Sequence, residues 1–197
     1  MARVDAIPVP LHEVLCHLYR DYRQTQNIDD KARFFSQECR QICRTDPSYA
    51  AQDRDAIIRY LHESGELVSR ILQEAPWKDD EPSTDTSTPR SFYTIRPLTE
   101  SEAGEFGTMR ELEPAGYASV EELKTKAEVE KWAGLRVNMW TDDGRGRGLL
   151  VKVKYWWRLE MSVPGSSGAW RQILHDILYL GPTDGTEEDG GGQRFED

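Results

Sequence analysis

At 197 residues the chain is long enough for one domain with its own core, and its 35 acidic against 25 basic side chains leave a net charge of −10. That balance, with no clustering of Lys or Arg, argues against nucleic acid and anionic membrane surfaces as partners. Cys16, Cys39 and Cys43 are an odd set without metal-site spacing, the start has no signal-peptide core, and no apolar run could span a bilayer, so a soluble cytoplasmic protein with reduced thiols and no metal is expected.

In chain order, Leu11, Val14, Leu15, Leu18, Tyr19 and Tyr22 form one helical stripe behind Pro8 and Pro10. Asn27–Asp30 is a turn able to cap a short helix over Lys31–Phe35. Cys39–Arg44 reads as a short strand ended by Asp46-Pro47. Asp53 or Asp55 then caps a helix through Leu72, with Ser64-Gly65 as a point of kinking or division. The polar run Lys78–Arg90 is expected to be a mobile loop, and Phe92–Leu98 a strand. Thr99–Gly116 is acidic and carries no assignable pattern. Ser119–Glu122 fits a capping box for a helix through about Trp132.

Three apolar, β-branched and aromatic runs follow between Gly134 and Pro182, separated by turn clusters at Thr141–Gly148 and Val163–Gly168, and read as a meander. In the middle run Val151, Val153, Tyr155, Trp157 and Leu159 share one parity. Lys152, Lys154, Trp156, Arg158 and Glu160 share the other, expected to be mostly solvated. The last run places polar Arg171, His175 and Tyr179 among aliphatics, which calls for a polar cavity or a partner. The acidic, Gly-rich residues 183–197 are expected to be disordered. The layout is α+β: N-terminal helices on one face of a curved, mainly antiparallel sheet, in a single domain over 1–182.

The succession Tyr19–Tyr22, Asn27–Asp30, Phe34–Glu38, Asp46-Pro47 and Asp53–Ile57 resembles the start of the nuclear transport factor two-like superfamily. That superfamily includes SnoaL-like polyketide cyclases, ketosteroid isomerases and scytalone dehydratases. Trp170–Asp176 is similar to its last strand, while Gln52-Asp53-Arg54 departs from the usual Gly-Arg. The resemblance covers roughly Leu11–Leu61 and Leu135–Leu180, leaving about 77–133 as an inserted loop and helix segment. It implies a cone-shaped fold with a pocket for an apolar ligand, no cofactor, and a homodimer through the outer face of the sheet, where an exposed Trp156 would sit.

On that resemblance Asp46 stands where isomerase-like members carry the general base; the plainer reading is a cap on the turn after a strand. Tyr19, sixteen residues before Phe35, matches the isomerases' hydrogen-bonding tyrosine, or is one more core residue of its stripe. His175 and Asp176 are adjacent on a strand and face opposite ways, so only one can reach the pocket. His175, with Arg171 and Tyr179 on its parity, is taken as the inward one, to orient or relay a proton, against a purely structural histidine. Tyr155 and Trp157 are pocket walls or plain core. The expected function is a cofactor-independent isomerase, cyclase or dehydratase acting on an apolar, carbonyl-bearing molecule such as a secondary metabolite. The alternative is a non-catalytic ligand-binding or scaffolding protein of the same fold. An enclosed cavity lined by Asp46, Tyr19 and His175 favours the first, and a packed cone the second.

Overall fold

The computed structural model describes residues 9–75, 89–161 and 168–197. The apolar stripe of the first helix, α1 (Val9–Gln24), buries Leu15, Tyr19 and Tyr22. Asn27 Oδ1 accepts the amide of Asp29 at 3.0 Å and opens a short 3-10 helix over Asp29–Phe34. Strand β1 (Phe35–Cys43) follows, longer at its start than the sequence suggested. Asp53 caps α2 (Arg54–Glu74) by accepting the Ala56 amide at 2.8 Å. This helix runs unbroken through Ser64-Gly65, because one glycine costs only about 1 kcal/mol in a helix that packs along its length.

Strand β2 (Arg90–Pro97) precedes α3 (Glu100–Ala103), α4 (Met109–Leu112) and α5 (Val120–Val129). Ser119 caps α5 through the Glu122 amide at 3.0 Å. Strands β3 (Ala133–Asp142), β4 (Leu149–Glu160), β5 (Ala169–Pro182) and β6 (Gln193–Glu196) complete one six-stranded sheet in the order β1-β5-β4-β3-β2-β6. Only β1 against β5 is parallel. The meander is therefore as expected, and the fold is α+β with a curled sheet around N-terminal helices. The mobile-loop expectation for 78–90 lies outside the described residues apart from Pro89, and from Arg90, which starts β2.

The concave face holds the main core, in which Tyr19, Tyr22, Phe35, Leu135, Val153, Tyr155 and Trp157 pack together. The convex face departs from expectation. Lys152, Lys154 and Trp156 are buried rather than solvated, because the 99–132 segment and the chain end fold over them. Trp156 stacks on Phe106 with ring centroids 4.8 Å apart, so the exposed aromatic that suggested a dimer through this face is covered within the chain. The segment read as an insertion also contributes β2, which pairs with β3 on one side and β6 on the other.

Charges on the convex face are neutralised locally. Asp176, fully buried, lies 2.6 Å from Arg44 Nη2 and 3.1 Å from Lys154 Nζ, and Glu105 contacts the same two cations at 2.8 Å each. Burial alone would raise Glu105, but hydrogen bonds from Arg44 and Lys154 outweigh it and hold the carboxyl down at about 2. Similarly, Lys152 Nζ donates to Asp189 at 2.6 Å and Asn138 Nδ2 to the same carboxylate at 2.8 Å. These contacts correct the expectation that 183–197 is disordered. Its acidic residues find cations on the sheet, and Gln193–Glu196 pairs antiparallel with β2.

Candidate functional site

A partly enclosed cavity of ≈ 360 Å³ lies between the concave face and the helices, within the size range of small-molecule sites. Its walls are mostly aliphatic, with Leu61, Leu67 and Val68 from α2 facing Val151, Val153 and Ile177 from the sheet. The polar groups reaching it are few: the phenols of Tyr22, Tyr49 and Tyr155, the Ser64 hydroxyl, the Gln41 amide, His175, and the cations of Arg23 and Lys31. Among the described residues no carboxylate lines it. The sheet's share of this wall comes from alternation: inward Val151, Val153 and Tyr155 follow from the period of two along β4.

His175 stands in the wall, and Asp176 faces the other way into the ion cluster described above. The imidazole is wedged edge-on between Phe35 and Tyr155, with centroid distances of 5.1 and 5.0 Å. Its Nε2 meets Gln172 Oε1 at 2.5 Å. With the amide assigned this way Nε2 carries the proton, which makes Nδ1 the acceptor of the ring. Burial, with no counter-charge, depresses the imidazole to about 3, so it is neutral at physiological pH. Among the described residues the buried Gln172 Nε2 finds no partner.

The rest of the expected polar row does not assemble. Leu178 and Ile173 are extra residues in β5, where the pairing to β4 jumps from Tyr179 to Ile177 and from Leu174 to Gln172. Each bulge reverses the side-chain parity. Arg171, opposite Arg158, and Tyr179, opposite Lys152, therefore belong to the convex face, and Gln172 replaces Arg171 beside His175. Tyr179 packs near Phe92, Trp140 and Leu150, donating its hydroxyl to the Pro182 carbonyl at 2.9 Å.

Asp46 is not in the cavity. It begins a 3-10 turn (Pro47–Tyr49), accepting the Ser48 amide at 3.1 Å and the Ser48 hydroxyl at 2.5 Å, and faces a separate surface depression. The capping reading is the one the geometry carries. Tyr19 is fully buried behind the wall, its ring 5.1 Å from that of Tyr155 and its hydroxyl turned towards the Tyr155 phenol. Burial raises its pKa, as it raises that of Tyr22, which goes to about 12. Tyr22, one turn further along the same stripe, is the tyrosine of α1 that reaches the cavity. Trp157 is fully buried core, whereas Tyr155 lines the cavity.

A SnoaL-like domain model matches residues 5–196. The chain belongs to the SnoaL-like domain family. No curated protein and no solved structure matches it. The match of this SnoaL-like chain runs through both the 77–133 segment and the acidic tail. Among the described residues, no helix is long and apolar enough to cross a membrane. Sequence reasoning missed Lys31, Gln41 and Gln172. Lys31 and Gln41 sit in elements whose pattern gave no reason to turn a polar side chain inward. Gln172 was hidden by the bulge at Ile173.

Proposed function

We propose that this SnoaL-like domain binds a largely apolar, carbonyl-bearing small molecule in the cavity, with the phenols of Tyr22 and Tyr155 as the donors that orient its carbonyl. The observation that carries this is the cavity itself: mostly aliphatic walls interrupted by a few polar side chains, a pattern that rewards apolar burial and orients one polar group. A polarity-sensitive naphthyl ketone dye tests it by its fluorescence shift. Wild type should enhance and blue-shift the dye, and Val153→Trp, which fills the cavity from the sheet side, should abolish the effect while the far-ultraviolet circular dichroism stays native. Equal enhancement by both proteins would defeat the reading.

The second reading is a cofactor-independent enzyme of isomerase, cyclase or dehydratase type, now with His175 in place of Asp46 as the proton-transfer group. It is supported by a neutral imidazole and the Tyr155 ring meeting at 5.0 Å inside a shielded cavity. Against it stands the low basicity of that imidazole, since a general base works best with a pKa near the working pH. Incorporation of solvent deuterium beside the carbonyl of a bound ketone, followed by mass spectrometry, separates the two. The enzyme reading requires wild type to exceed both buffer and His175→Gln. A wild-type rate equal to buffer leaves the protein a ligand carrier.

A further inference from the structure

We propose that the ligand of this cavity is an apolar carboxylic acid, whose carboxylate is held by the Lys31 ammonium with Arg23 beside it, while its hydrocarbon part lies along Leu67, Val68, Val151 and Ile177. This rests on the cavity being a ligand site, as proposed above, and adds the chemistry of the head group.

The charges around the cavity are unbalanced. Arg23 and Lys31 both line it, and no carboxylate among the described residues does. Arg23 already has a partner, because its Nη2 pairs with the Asp197 side chain and its Nη1 donates to Met139 Sδ at 3.4 Å. Among the described residues no carboxylate pairs with Lys31. Its ammonium donates to the Tyr22 carbonyl at 2.6 Å and stands 4.4 Å from the centre of the Tyr22 ring. An ammonium has three donors, and this hydrogen bond uses one of them. Burial first, and the neighbouring Arg23 second, lower its pKa to about 8 despite some compensation from Asp197. Such a group gains from any anion that reaches it.

The position suits one ligand class. Lys31 lies in the short helix at one side of the cavity, bonded to the end of α1, and the aliphatic residues of α2 and the sheet line the rest. A molecule anionic at one end and apolar along its length meets both halves of that wall. A dianionic or sugar-like molecule would leave polar groups against Leu67, Val68 and Val151 without partners.

The test compares decanoate with decanol by isothermal titration calorimetry at pH 7, below micelle-forming concentrations, on the full chain. Wild type should prefer the acid by at least about tenfold, the value of one charge-assisted hydrogen bond in a shielded site. Lys31→Met should lose that preference while still binding decanol, and Lys31→Arg should keep it. Equal affinity of wild type for acid and alcohol overturns the head-group assignment and leaves the cavity reading standing. A preference that survives in Lys31→Met overturns the role of Lys31. No binding of either probe defeats the cavity reading and this inference together. The wild-type comparison decides the head group even if Lys31→Met does not fold.

Discussion

Replacing His175 by Gln should flatten the acid side of the stability curve. In the folded chain burial holds the imidazole at about 3, whereas in the unfolded chain it titrates at its usual 6.5. The sign follows from which state binds the proton first. Below 6.5 the unfolded state takes it up and the folded state does not, so stability is complete above that pH and falls as the pH falls. At about 1.36 kcal/mol per tenfold change in proton concentration, the whole span is worth at most about 5 kcal/mol, and the part between pH 6.5 and 4.5 about 2 kcal/mol. That window avoids the stabilising carboxylates. Glu102, through its hydrogen bond to Arg96, and Glu105 are held at about 2 and lose their contribution only as the pH drops below the usual 4.5. His12, lowered by burial against the field of Glu13, is common to both proteins and cancels in their difference. Urea unfolding followed by tryptophan fluorescence at each pH measures both. Wild type should lose about 2 kcal/mol more than His175→Gln across the window. Parallel losses would mean that His175 is hydrated or already paired with an anion, and the account of the cavity wall would fail with it.

Two further outcomes follow from residues now outside the site. Asp46→Ala should cost about 1 kcal/mol as a lost cap, with dye binding in the cavity unchanged; a loss of binding with full stability would restore Asp46 to the site. Asp176→Ala should cost about 3–5 kcal/mol in urea unfolding, because Lys154, 1% exposed, and Arg44 would share only Glu105. A cost below about 1 kcal/mol would show that water already reaches that cluster.

Local chemistry was legible in the residues themselves. The stripe of α1, the Asp53 cap and the three strand runs after Gly134 follow from spacing and turn residues that act over a few positions. The opposition of His175 and Asp176 was equally secure, since neighbours on a strand point to opposite faces whatever surrounds them. Alternation fails as soon as an extra residue enters a strand, and the bulges at Ile173 and Leu178 moved Arg171 and Tyr179 out of the site for that reason. Nor could the sequence tell that Lys152, Lys154 and Trp156 would be covered. Their partners, Asp189, Glu105 and Phe106, lie 37, 49 and 50 positions away and meet them only in the folded chain. The sequence thus determined the first helices, the cap of α5 and the strand runs, and that only one of His175 and Asp176 can face inward. Tertiary packing alone decided which other polar groups reach the cavity, because that depends on register and on long-range charge pairing rather than on local pattern.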